Sequence, residues 1–183
     1  MEEKIPWLDG SYSTEIFGAE GGPAKYPYYY SLGATYGDQI KILMKWVKEN
    51  HKGKERARVG FVYSPTAWGR DGTPEGIAYA KKLGLDVVAE IEYPYSATDA
   101  TTQATTLRKA KTQYILFHGF SGAGNYTAIF FKTIRKFLPD ATIMGTGAGQ
   151  SQGRRPRVAP RRGPRVLGRG LARRQDPHLK SET

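Results

Sequence analysis

From Arg58 to Met144 short apolar runs alternate with amphipathic ones, and this alternation restricts the fold more than any other feature of the chain. RVGFVY (Arg58–Tyr63), LDVVAEIEY (Leu85–Tyr93), QYILFH (Gln113–His118) and ATIM (Ala141–Met144) have the composition of strands. Three helical stretches separate them. The first is delimited by Thr73 as cap, Pro74 in the first turn and Gly84 as stop. The second, threonine-rich, runs from Ser96 to Ala110. The third sets Tyr126, Phe130, Ile134 and Phe137 along one face and stops at Pro139. Strands this apolar cannot leave a face in water. The order β-α-β-α-β-α-β therefore predicts an α/β fold with a parallel sheet, right-handed crossovers and helices on both faces.

Upstream, KIPWL (Lys4–Leu8) reads as a short strand ended by Asp9-Gly10, followed by a loop rich in glycine and aromatics. Tyr26, Tyr28, Tyr29 and Tyr30 read as a strand packed on both sides rather than as a cofactor stack. From Asp38 the pattern turns helical, with Ile40, Leu43, Met44 and Val47 on one face. The chain has no cysteine, which excludes disulfides and thiolate chemistry. MEEKIPWLDG lacks the cationic and apolar regions of a signal peptide, and no run approaches a membrane span.

In parallel α/β sheets ligands sit beyond the carboxyl ends of the strands. The segments expected there are Gly10–Thr14, Ser64–Gly69, His118–Asn125 and Gly145–Gly147, rich in Gly, Ser, Thr and aromatics and poor in charge. Small hydroxyls and free backbone N–H groups suit a small polar or zwitterionic ligand with a ring over its apolar part; tight turns produce the same composition. Trp68 reads either as an aromatic lid or as a plug of the strand–helix junction. His118 reads as a ligand contact or a satisfied core histidine.

Nucleotide, metal and catalytic motifs fail. Gly119, Gly122 and Gly124 have the wrong spacing for a dinucleotide turn, and Gly145, Gly147 and Gly149 lack the Lys-Ser/Thr of a phosphate loop. His51, His118 and His178 form no metal-ligand pair. No paired carboxylates or G-x-S-x-G elbow occur, so no catalytic residue, metal or cofactor is expected. An α/β enzyme using His118 and Ser121 is the alternative.

KIPWLDGSYST, YPYYYSLGATYGDQIKILMKWVKEN, RVGFVYSPTAWGRDG, KKLGLDVVAEIEYPYSATD, FHGFSGAGN and TIMGTG, in that order, resemble the type I periplasmic solute-binding proteins of branched-chain amino acid and amide ABC transporters. The resemblance implies a two-lobed binder without catalysis, which closes on an amino acid or amide and delivers it to permease subunits in the periplasm. Residues 1–33 would be a remnant of the first lobe with the crossover strand, 34–147 the α/β second lobe, and 148–183 a tail. By position, Ser11, Tyr12 and Ser13 would hold the ligand carboxylate, Trp68 would lie against the ligand, and Gly119, Phe120 and Ser121 would line the second-lobe wall. In the family a longer first lobe with a signal peptide precedes KIPWL, so Met1 falls inside that lobe. An acidic residue for the ligand's ammonium is often placed just after the last strand, near Gly147, where none stands.

The net charge of +11 is unevenly spread. Residues 151–183 hold nine Arg and one Lys against Asp176 and Glu182, while the first 150 residues hold 18 bases and 15 acids. No nucleic-acid partner is therefore expected of the body. The tail switches abruptly from lysine to arginine, inside an expected βα unit and where the family likeness ends. Arg, Gly, Pro and Ala, the residues of G/C-rich codons, dominate it, which implies a shift of reading frame near Thr146–Gly149. The rival is a genuine Arg-rich segment that binds nucleic acid or other anions nonspecifically. With few apolar residues, the tail is expected to be disordered on either account.

Overall fold

The computed structural model describes residues 4–10, 12–18, 22–119 and 125–146, all within one compact unit. Its elements are β1 (Trp7–Asp9), α1 (Thr14–Phe17), α2 (Gly22–Lys25), β2 (Tyr29–Ser31), α3 (Tyr36–Asn50), β3 (Arg58–Tyr63), α4 (Ala67–Arg70), α5 (Thr73–Lys82), β4 (Asp86–Glu92), α6 (Thr101–Lys109), β5 (Tyr114–His118), α7 (Tyr126–Phe137) and β6 (Thr142–Gly145). The four strands expected from the alternation form one wholly parallel sheet in the order β4-β3-β5-β6. The crossover after β3 leads outward to β4, and the next returns across β3 to β5. The order thus reverses between β3 and β5.

Period-two alternation sends successive side chains to two separate cores. Val59, Phe61 and Tyr63 of β3, Leu116 of β5 and Met144 of β6 pack with Ile40, Met44 and Val47 of α3 and with Ile77 and Ala80 of α5. Val62, Ile115 and Phe117 point the other way, against Ala104 and Leu107 of α6 and Tyr126, Phe130 and Ile134 of α7. Phe117 stacks on Phe130 with ring centroids 4.7 Å apart. On edge strand β4 the register shifts between Val59 and Gly60, so that Val87 faces the first core and Ala89 and Ile91 the second. Such a bulge is an ordinary device of sheet edges. It leaves Glu90 beside Tyr63, whose hydroxyl donates to it at 2.8 Å. Burial, and then that carboxylate, push the Tyr63 pKa up to about 12.

Several expected boundaries move for identifiable reasons. Helix α3 starts at Tyr36, because Thr35 Oγ1 accepts the Asp38 N–H at 3.1 Å and donates to the Asp38 carboxylate at 2.9 Å. Thr73 is not the cap of α5. Gly72 is, with φ +72°, and the buried Thr73 hydroxyl instead donates to the Gly69 carbonyl. A Cβ at Gly72 would lie 2.4 Å from the Gly37 nitrogen, so both conformation and space require glycine there. Gly84 (φ +76°) ends α5 as expected. Its N–H bonds the Lys81 carbonyl and that of Leu85 bonds Ala80, the paired bonds of a Schellman ending. Helix α6 begins at Thr101, not Ser96, because the Asp99 carboxylate takes both the N–H and the hydroxyl of Thr101.

The upstream region carries two one-turn helices where an open loop is expected. Strands β1 and β2 pair in parallel as a separate two-stranded sheet, and β1 begins only after Pro6, which has no N–H to give a ladder. The tyrosine run does form a strand but does not pack on both sides: Tyr29 and Tyr30 are exposed, as are Ile5, Trp7, Leu8 and Leu32. Among the described residues no helix is long and apolar enough to cross a membrane.

Candidate ligand-binding site

At the carboxyl ends of β3 and β5 the strand order reverses, and the chain turns there into Ser64 and Gly119. This is the point where open α/β sheets take ligands. Ser64 is buried; its N–H donates to the His118 carbonyl, and its hydroxyl shares a hydrogen with Thr66 at 3.2 Å. Thr66 caps α4 by accepting the Gly69 N–H, which swings Trp68 over the end of β5. The Trp68 ring stacks on His118 with centroids 4.5 Å apart and 22° between planes.

His118 is wholly buried and both its ring nitrogens are bonded. Nε2 lies 3.2 Å from the Trp68 carbonyl, which can only accept, so Nε2 carries the proton. Nδ1 then accepts from the Thr146 hydroxyl at 2.7 Å. Burial pushes the His118 pKa down to about 4, against smaller opposing effects of the Trp68 carbonyl and Asp71. The ring is therefore a neutral core histidine linking β5, β6 and α4.

Tyr36 joins this cluster to the upstream segment. Its ring lies 4.9 Å from His118 and 5.4 Å from Trp68, and its hydroxyl accepts the indole N–H of Trp68 at 2.9 Å. Tyr12 meets Tyr36 edge-on at 5.8 Å and accepts the Tyr36 N–H through its carbonyl. Two further bonds fasten the segment. The Asp71 carboxylate takes the Thr14 N–H with both oxygens at 3.0 Å, and Thr14 Oγ1 accepts the Gly37 N–H at 2.9 Å. Ser13 caps α1 through its hydroxyl to the Ile16 N–H.

Of the residues expected at the site, the structure thus brings Tyr12, Ser13, Trp68 and Gly119 to one end of the large sheet. Ser11, Phe120 and Ser121 lie outside the described residues. Gly119 is buried between side chains, and a Cβ there would lie 2.4 Å from the Phe117 ring and 2.7 Å from the Tyr126 hydroxyl. Trp68 has the geometry of a junction plug while remaining half-exposed. Tyr36 and Asp71 lie outside the segments expected at the strand ends, whereas Thr146 falls within Gly145–Gly147 and only its bond to His118 was not foreseen. A Thr35-x-x-Asp38 cap signal would have placed Tyr36 at a helix start beside the crevice. Nothing local marks Asp71 or the bond of Thr146 to His118, which join residues 57 and 28 apart. Among the described residues no group of three or more His, Asp or Glu side chains is placed to hold a metal.

The periplasmic binding protein family profile matches residues 1–154. The chain belongs to that family. Periplasmic binding proteins are solute binders rather than enzymes, so the alternative of an enzyme built on His118 and Ser121 falls, in keeping with the closed bonding of His118. Among solved structures, the chain is similar to a branched-chain amino acid ABC transporter protein from Thermus thermophilus with bound valine (20% identity, TM-score 0.64, 78% of this chain and 35% of that one). It is also similar to an ABC transporter solute-binding protein from Rhodopseudomonas palustris HaA2 in complex with p-hydroxybenzoic acid (19%, TM-score 0.62, 80% and 38%). A third is a fatty acid ABC transporter substrate-binding protein from Thermomonospora curvata (20%, TM-score 0.64, 80% and 35%). At these identities the likeness is one of fold, the type I periplasmic binding protein fold, and the chain spans little more than a third of each relative. No curated protein matches significantly.

Proposed function

We propose that this periplasmic binding protein contributes the second-lobe wall, and the adjoining edge of the first lobe, to a site for a small organic solute of an ABC transporter. Residues 1–33 supply the first-lobe part and 34–147 the second lobe. The observation that carries the reading is the aromatic cluster Tyr12–Tyr36–Trp68–His118, which seats the upstream segment on the switch point of the large sheet. There Ser11, Tyr12 and Ser13 hold the carboxylate of the solute, Trp68 lies along its apolar part, and Gly119, Phe120 and Ser121 form the wall. Permease subunits in a periplasmic setting are the partner. The relatives' ligands (valine, p-hydroxybenzoic acid, a fatty acid) are chemically diverse but each bears a carboxylate, which sets the solute class to screen.

The test is titration of the chain with L-valine, 4-hydroxybenzoate and octanoate, followed by tryptophan fluorescence. At least one is expected to give a saturable change, and Trp68→Ala to weaken it ten-fold or more, the effect of losing about 1.4 kcal/mol of ring contact. No saturable response to any of the three, or a Trp68→Ala variant that binds unchanged, overturns the reading.

A further inference from the structure

The large sheet has two electrically different ends. Its strands all run one way, so the helices packed on it run back and deliver their carboxyl ends to the amino edge of the sheet. Each of α3, α5, α6 and α7 closes there on a basic last turn. Cations at those positions complement the helix dipoles, which accounts for them without any ligand.

The loop from α3 to β3 is different. HKGKERA (residues 51–57) sets Lys52, Lys54 and Arg56 beyond the helix, all exposed, and none of them forms an ion pair among the described residues. The loop is pinned by its own histidine. The Nε2–H of His51 donates to the Glu55 carbonyl at 3.1 Å, and Nδ1 accepts from the Tyr114 hydroxyl at 3.2 Å. A Cβ at Gly53 would lie 2.5 Å from Nε2, so glycine is what lets the backbone fold over the ring. Lys48, Lys54, Arg56 and Gly84 line an open hollow of about 260 Å³ with His51, and a second of about 320 Å³ adjoins it across the same ring.

The seven bases of those last turns and the three of the loop bring ten Lys and Arg to this face, against Glu49, Glu55, Asp86 and Asp140. Asp86 is already matched by Arg58 at 2.9 Å. Within the α/β unit the carboxyl end has the opposite balance: Asp38, Asp71, Glu75, Glu92 and Asp99 outnumber Lys41 and Arg70, which pair with Glu75 and Glu92.

We propose that the amino-end face docks on an anionic phospholipid surface. Its charges are spread over a shallow, open face rather than gathered around an enclosed cavity, which suits a layer of phosphates better than one small anion. The acidic opposite end is repelled by the same layer, and this orients the molecule with its crevice clear of the lipid. The preference for a bilayer over nucleic acid rests on the transport reading given above; the charge geometry does not.

The test is sedimentation of the full chain with vesicles of phosphatidylcholine, with and without phosphatidylglycerol, at low and high salt. Binding is expected only to the phosphatidylglycerol vesicles and is expected to weaken with salt. Each base near such a surface is worth about five-fold in partitioning, so K52E/K54E/R56E lowers it by roughly 100-fold or more. The control K4E/K25E/K45E, with the same change in net charge, retains most of it. Should the loop reversal fold poorly by circular dichroism, K52Q/K54Q carries the same comparison, with an expected loss of roughly 25-fold. Equal loss in reversal and control, or none in either, overturns the proposal, because attraction then lies in net charge or in residues 154–183. Preference for duplex DNA over vesicles at equal phosphate also overturns it. Since no solute enters the assay, failure of the solute-binding reading would appear in the fluorescence titration and not here.

Discussion

His118 shows how a polar residue becomes structural. Its ring is wholly buried, yet every polar atom on it is bonded, so the group is stable as long as it is neutral. The folded-state pKa of about 4 lies below the ordinary value of 6.5, so between these limits the unfolded chain binds the proton and the folded one does not. Stability from this residue is therefore complete above pH 6.5 and is lost as pH falls toward 4, by about 1.4 kcal/mol per pH unit and about 3 kcal/mol in all. Urea midpoints measured from pH 7 to 4 should fall more steeply for the wild type than for His118→Gln, whose amide can bond the same two partners without titrating. Parallel profiles would show that the ring does not titrate as its burial requires. Trp68 is bound to this outcome, since the indole stacks on the imidazole and its own carbonyl takes the imidazole proton in a hydrogen bond.

At the scale of elements, the endings of α5 and α6 are the same motif built from different residues. Gly84 takes the left-handed position after α5; after α6 that position falls to Lys111, with φ +49°. The bonds are equivalent: Lys111 N–H to the Arg108 carbonyl, Thr112 N–H to that of Leu107. A side chain in this region costs on the order of 1 kcal/mol that glycine avoids, partly offset by glycine's greater freedom when unfolded. Lys111→Gly should raise stability by about 0.5–1 kcal/mol, read as a higher urea midpoint at unchanged slope; a lower midpoint would mean that lysine compensates through contacts of its own. Close approach governs the other flank. A Cβ on Gly76 would lie 2.2 Å from Cγ2 of Ile40, which is how α3 and α5 pack tightly enough to share one core.

At the scale of the whole molecule, the upstream segment is held to the α/β unit at a few identifiable points, of which the Asp71 carboxylate on the Thr14 N–H is the charged one. A hydrogen bond of that kind is worth about 1.5–3 kcal/mol. Asp71→Ala should therefore speed hydrogen exchange at Thr14, Phe17 and Gly18 by about ten-fold or more, while amides of β3 and β5 keep their protection. Uniform acceleration would instead make Asp71 a determinant of the entire fold. How much of this was legible beforehand follows from range. The alternation of apolar strands and amphipathic helices is local and periodic, so the amino-acid sequence alone determined a parallel α/β sheet with two covered faces, the stop at Gly84 and the stripe on α7. It also placed Trp68 and Gly119 at strand ends. Ser13–Ile16 and Thr35–Asp38 are equally local but sit in a stretch whose glycines and tyrosines obscure any period. What only the tertiary structure decided depends on groups far apart in the chain: Tyr36 between Tyr12, Trp68 and His118, Asp71 on Thr14, and Thr146 on His118. The same holds for charge. By composition the body is nearly balanced, 18 bases to 15 acids, and only parallel strands with antiparallel helices sort those charges into a basic amino end and an acidic carboxyl end.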